Sequence, residues 1–199
     1  MNSDKIILDL CGGTGAWSKP YVDAGYDVRL VTLPEQDVLL YQPPENVHGI
    51  LAAPPCTMFS LARTRAKTPR DFRAGMTTVE ACLKIIWTCR YEPQYKKEGC
   101  LKFWVLENPV GFLRQFLGMP YDTFTPSDFG DRYTKKTDLW GFFQKPRRCP
   151  CTLFPEKKAL MATNSRKLPS ISELTNSKQA DKRAMTPPGF AQAFFEANH

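Results

Sequence analysis

Apolar residues fall in short bursts along this chain, and the bursts alternate between two spacings. KIILDL, YDVRLVTL and NVHGILAAPP are brief runs of Val, Ile and Leu bounded by Gly, Asn or Pro. Runs of that length predict buried, parallel β-strands. Between the first two, CGGTG reads as a glycine turn and AWSKPYVDAGY as a helix. From Thr77 to Tyr91 the spacing changes, because Val79, Cys82, Leu83, Ile86 and Trp87 share one stripe of helical period that should pack on the sheet. KFWVLENP predicts a further strand, and GFLRQFLG a short helix with Phe112, Leu113, Phe116 and Leu117 inward. TDLWGFF predicts a late strand. The final TPPGFAQAFFEANH predicts a helix opened by proline, with Ala191, Phe194 and Phe195 facing the core.

Strands alternating with helical patterns predict an α/β fold, a doubly wound, Rossmann-like sheet. At 199 residues the chain suffices for one buried core and hardly for two. Residues 1–143 are expected to form that core. Residues 144–182 are polar, proline-bearing and weakly periodic, which predicts a loop-rich excursion, and 183–199 should return to the core as a helix.

Charge and cysteine usage then narrow the classes. The excess of Lys and Arg over Asp and Glu gives a net charge of +7, which favours a polyanionic partner such as nucleic acid. No apolar run approaches the roughly 20 residues of a bilayer span, and MNSDKIILDL lacks a signal pattern, so a cytoplasmic protein with no membrane partner is expected. Seven cysteines at irregular spacings predict reduced thiols, not a disulfide framework.

In an open α/β sheet, ligands bind outside the carboxyl ends of the strands. Three such ends stand out. In DLCGGTGAW, Gly12, Gly13 and Gly15 let the backbone turn and approach a ligand, suiting a nucleoside-bearing cofactor, although a purely structural turn reads the same way. An acid closing strand two, where such sites grip ribose, is missing; Thr32 and Leu33 stand there, and Asp37 is the nearest carboxylate. In AAPPCTMFS, Cys56 follows two prolines that hold it on a stiff extended turn. Arg63, Arg65, Lys67, Arg70 and Arg73, against Asp71, would favour its thiolate; equally, they read as a solvated loop. In WVLENPV, Glu107 and Asn108 stand where burial would let a carboxyl hold its proton, or where both would cap a helix beginning near Val110.

Taken together, ILDLCGGTGAW, APPCTMFS and LENP, followed by SDFGDRYTKKTDLWG and AMTPPGFAQAF, resemble the motifs of the cytosine-C5 DNA methyltransferase family in order and spacing. The resemblance spans nearly the whole chain except about 144–182. It implies a Rossmann-like sheet of the S-adenosylmethionine-dependent methyltransferase type, in a compact form of the kind carried by small mobile or phage genomes. It further implies methyl transfer to cytosine C5 in double-stranded DNA, through a covalent adduct of Cys56 at C6 and a flipped-out base. Catalytic roles would fall to Cys56, Glu107, Asn108 and Lys135. S-adenosylmethionine would be held by Asp9, Leu10, Gly12, Gly13, Gly15, Trp17, Leu33, Asp37, Pro55 and Thr186, and leave as S-adenosylhomocysteine.

DNA contacts would come from Ser60, Arg63, Arg65, Lys67, Arg70, Lys136, Lys145, Arg147 and Arg148, on a monomer without a metal. Cys149 and Cys151 make only a weak zinc signal. The departures from the family pattern are specific. Thr57 replaces the glutamine that often follows the nucleophile, and YTKKT puts Lys135 and Thr137 where two arginines align. The recognition segment shrinks to 144–182, which implies a short or relaxed target. Cytosine in RNA or as free nucleotide is the alternative substrate, and a silent nucleic-acid-binding protein the alternative class.

Overall fold

The computed structural model describes residues 2–63, 66–92, 94–95, 101–149 and 184–199. Among the described residues, six strands form a single mixed sheet: β1 (Ile6–Leu10), β2 (Asp27–Val31), β3 (Val47–Ala52), β4 (Phe103–Pro109), β5 (Asp122–Phe124) and β6 (Thr137–Phe142), in the order β2-β1-β3-β4-β6-β5. β2, β1, β3 and β4 run parallel. β6 is antiparallel to both β4 and β5, so β5 points the same way as β4. The order reverses at β1, from which the chain moves out to β2 and back past β1 to β3. This is the switch point beside which open α/β sheets bind ligands.

Alternation along each strand fills both faces. Leu8, Leu10, Ile50, Ala52 and Leu106 face α2 (Phe72–Tyr91), while Ile7, Leu51, Phe103, Val105 and Leu139 face Trp17, Tyr21 and α4 (Pro188–Ala197). The short α1 (Lys19–Asp23) carries Tyr21 into that second core, and Phe190 stacks on Phe124 at 3.9 Å between ring centroids. The α/β, doubly wound, Rossmann-like reading therefore holds. Among the described residues, no helix is long and apolar enough to cross a membrane.

Several local expectations change. α2 begins at Phe72, earlier than its apolar stripe suggests, because the Asp71 carboxylate accepts from the Ala74 amide at 2.9 Å and caps it. Its buried arc is Val79, Cys82, Ile85, Ile86 and Cys89, whereas Trp87 lies at the margin, edge-on to Trp104. GFLRQFLG yields only one turn, α3 (Arg114–Leu117). Leu113 alone is buried there, and Phe112 and Phe116 stay partly exposed against Phe72. In α4 the core residues are Phe190, Ala191 and Phe194, with Phe195 only half-buried against Tyr21. β5 and the 3-10 turn Pro126–Phe129 carry no sequence signal, since three residues show no period. Of the excursion 144–182, residues 150–182 lie outside the described residues, Cys151 among them.

Candidate active site

A cavity of about 450 Å³ opens at the carboxyl ends of β1, β3 and β4. Its first wall is the turn after β1. Cys11, Gly13 and Gly15 take φ values of 58°, 57° and 69°, in the left-handed region that glycine adopts at least cost. A Cβ on Gly12 would collide with the Asp9 carboxyl, so the turn can sit on that acid only with glycine there. Asp9 is fully buried; its Oδ2 accepts from Ser18 Oγ at 2.5 Å, and its Oδ1 is buried with no hydrogen-bond partner. Burial pushes its pKa up to about 6, with the Ser18 hydrogen bonds opposing.

The second wall is the turn after β3. Ala53 extends the ladder by donating to Leu10 O at 2.9 Å, and Pro54, Pro55, Cys56 and Thr57 then line the cavity. Cys56 is half-buried, and its carbonyl accepts from the amides of Phe59 (2.9 Å) and Ser60 (2.8 Å).

The third wall is the end of β4. Glu107 faces the cavity with Oε2 buried and unpartnered; burial pushes its pKa up, and the charge of Lys135, on the same cavity, opposes the rise. The helix-capping alternative fails, because Glu107 and Asn108 belong to β4 while α3 starts only at Arg114, without a side-chain cap. Asn108 does not line the cavity. It is fully buried and donates through Nδ2 to Pro54 O at 2.9 Å, bracing the turn that carries Cys56.

Of the residues expected around a cofactor, Asp9, Gly12, Gly13, Trp17, Leu33, Pro55 and Thr186 line the cavity. Leu10, Gly15 and Asp37 do not. Leu10 turns into the α2 core, and Asp37 Oδ1 accepts from the Leu39 amide at 2.9 Å. Trp17 offers the cavity only an edge: it is 1% exposed, packed on Phe190 and Phe194, with its indole Nε1 buried and unpartnered. Sequence reasoning missed Cys11, Thr14, Ala53, Pro54, Pro109, Ala184 and Met185 in the lining, and the Ser18–Asp9 bond beneath it. Cys11 and Thr14, inside the glycine turn, and Ala184 and Met185, beside Thr186 in the C-terminal motif, carried signals that could have found them.

None of the described residues among the expected DNA contacts lines the cavity, and several are committed internally. Arg63 donates to Thr68 Oγ1 at 2.8 Å. Arg70 donates to the carbonyls of Met58 and Ser60. Arg148 pairs with Asp122 at 2.9 Å and Asp128 at 3.4 Å, and Lys145 lies over the Tyr121 ring. Ser60 Oγ accepts from the Ala62 amide at 3.2 Å. Lys67, Lys136 and Arg147 are exposed, while Arg65 lies outside the described residues. Among the described residues, no group of three or more His, Cys, Asp or Glu could hold a metal ion.

No family model and no curated protein sequence matches this chain. Among solved structures, a substituted form of DNMT2 from Spodoptera frugiperda is similar at a TM-score of 0.41 and 17% identity, over 76% of this chain. The match covers 52% of that protein, so the chain spans about half its length.

Proposed function

We propose that the protein transfers a methyl group from S-adenosylmethionine to C5 of cytosine in DNA. The observation that carries this reading is one cavity lined by Cys56, by Glu107 with its buried carboxyl and by a glycine turn seated on a buried acid. Its volume falls within the roughly 300–1,000 Å³ of small-ligand sites. The cofactor's chemistry fits what is present: a cationic ligand suits the unpartnered oxygen of Asp9, and Gly12, Gly13, Thr32, Leu33 and Thr186 would hold a nucleoside. When bound, S-adenosylmethionine supplies an electrophilic methyl group.

The chain's own residues would do the rest. Cytosine C5 is a weak nucleophile, and addition of the Cys56 thiolate at C6 turns the ring into an enamine. Glu107, whose burial favours the protonated form, would donate to cytosine N3 and stabilise the charge that addition places on the ring. Asn108 fixes the Pro54 carbonyl and with it the approach of the thiol. After transfer, loss of the C5 proton and departure of the cysteine thiolate restore aromaticity. Both reacting carbons lie inside a duplex stack, so the base must leave it. Backbone contacts would fall chiefly to Lys67, Lys136 and Arg147, whose side chains face solvent.

Nucleoside mass spectrometry of plasmid DNA, recovered after expression in cells lacking cytosine methylation, tests the reading. 5-Methylcytosine should appear with the wild type and vanish with Cys56→Ser, whose hydroxyl is a far weaker nucleophile. Glu107→Gln should lower the rate by about 10²–10⁴-fold. Duplexes containing 5-fluorocytosine should trap a covalent adduct on Cys56. Undiminished methylation by Cys56→Ser would end the mechanism, and 5-methylcytosine appearing only in the RNA or free nucleotides of the same cells would reassign the substrate.

A further inference from the structure

The turn that carries Cys56 leaves the sheet after Ala53, so its carbonyl groups need partners beyond the β3 ladder. Asn108 takes Pro54 O, the amide of Phe112 donates to Phe59 O at 2.9 Å, and Cys56 O is used within the turn. Two further carbonyls converge on a single side chain. Arg70 Nη1 donates to Met58 O at 2.7 Å, and Nη2 to Ser60 O at 2.8 Å. The same guanidinium lies 4.9 Å from the centroid of the Phe112 ring.

Arg70 directly precedes Asp71, the cap of α2, and Phe112 lies in the connection between β4 and α3. One planar group therefore fastens the cysteine turn to two elements of the scaffold. A guanidinium can do this because its fork presents parallel N–H groups and its face stacks on an aromatic ring. An ammonium group keeps the charge and loses the fork.

We propose that Arg70 is a positioning residue: it clamps the turn Cys56–Ser60 in the shape that presents the Cys56 thiol to the cavity, and it does so by bidentate geometry, not by charge. This takes the place of the phosphate contact expected of Arg70. Its consequence for turnover rests on the methyltransferase reading, whereas the clamp itself does not.

The test uses the whole protein, with Arg70→Lys and Arg70→Ala compared to wild type. Alkylation of Cys56 by iodoacetamide is followed by peptide mass spectrometry across pH, with the exposed Cys149 as internal reference. Amide hydrogen exchange is read at Phe59 and Ser60. Both variants should speed Cys56 alkylation and exchange at these amides by about tenfold or more, since charge-assisted bonds that close the turn are lost. Cys149 alkylation, the melting midpoint and exchange across β1 and β3 should hold. Turnover should fall about 100-fold, with the KM for cofactor unchanged, as expected of a misplaced reacting group.

Wild-type behaviour of Arg70→Lys in both alkylation and exchange would overturn the clamp and leave only a charge. Exchange accelerated throughout the sheet would overturn it as well, by showing a general loss of stability. A protein without methyl transfer, whose Cys56 still responds to Arg70→Lys, would refute the proposed reaction and leave the clamp standing.

Discussion

Asp9 and Asp138 are both fully buried, one on β1 and the other on β6, and their surroundings could hardly differ more. Asp138 receives Arg114 Nε on Oδ2 at 2.7 Å and both Arg114 Nη2 (2.6 Å) and Thr123 Oγ1 (2.7 Å) on Oδ1. Its charge is matched and both its oxygens are bonded. Asp9 has the Ser18 hydroxyl and one oxygen without a partner, beside the cavity. The edge of the sheet where β5 meets β6 is thus built as frame, with the buried charge of Asp138 neutralised in place. The half around β1 is left receptive, holding an unused acceptor where a cationic or hydrogen-bonding ligand would satisfy it. Buried polar groups left unmatched are costly, which is why they concentrate at sites that do chemistry.

The largest effect should come from the frame. Asp138→Ala leaves the Arg114 guanidinium, 29% exposed, without its carboxylate and removes three hydrogen bonds. Breaking such a pair costs about 3–5 kcal/mol, with the lower end expected here because Arg114 keeps some contact with water. Urea unfolding measures it; a loss below about 1 kcal/mol would mean that the two halves are equally tolerant.

Asp9 should show itself in the pH dependence of stability. Its carboxyl binds a proton more tightly folded than unfolded, so its ionisation opposes folding. Stability should fall as pH rises from about 4 to about 6, by about 3 kcal/mol from this group at 1.36 kcal/mol per pKa unit. Glu107, also pushed up by burial, gives the same sign. The difference between wild type and Asp9→Asn therefore isolates Asp9, and identical pH profiles would mean that Asp9 is no more strained than Asp138.

A smaller effect belongs to Ser18. Ser18→Ala deletes the side-chain bond to the Asp9 carboxyl and keeps the backbone one, which should cost about 1 kcal/mol at neutral pH and push the Asp9 pKa further up. Calorimetry at pH 5 and pH 8 would show the variant losing more at the higher pH. An equal loss at both would place the proton elsewhere.

The difference between the halves also explains what could be read along the chain. β1 to β4 are long enough for their apolar runs to show, and the rule that ligands sit beyond strand ends is a rule of topology, so Gly12, Cys56 and Glu107 could be placed at one crevice from sequence alone. The frame could not. Arg114, Thr123 and Asp138 find one another across nine to twenty-four residues, and nothing in their local sequence announces it. β5 is too short for a period. Basic residues were equally opaque: Arg70, Lys145 and Arg148 read as charge available to a polyanion, whereas the fold spends them on carbonyls, a ring and carboxylates. Asn108 reads as a neighbour of Glu107, yet on a strand successive side chains point to opposite faces, so the two do different things.

The attachment of α4 bears on the order of events during synthesis. Tyr21 donates its hydroxyl to Asn198 O at 2.8 Å, and Asn198 exchanges hydrogen bonds with Gln144 through both its Oδ1 and its Nδ2. The apolar face formed by Phe103, Val105 and Leu139 is covered by Phe190 and Phe194, which come late in this sequence. At roughly 5–20 residues per second, some seconds separate completion of β6 from arrival of its cover. During that interval an assembled sheet would carry one bare apolar face, so the nascent chain should be a strong client for chaperones that bind exposed hydrophobic surface, and a chain stalled before Phe190 should aggregate where the full chain does not.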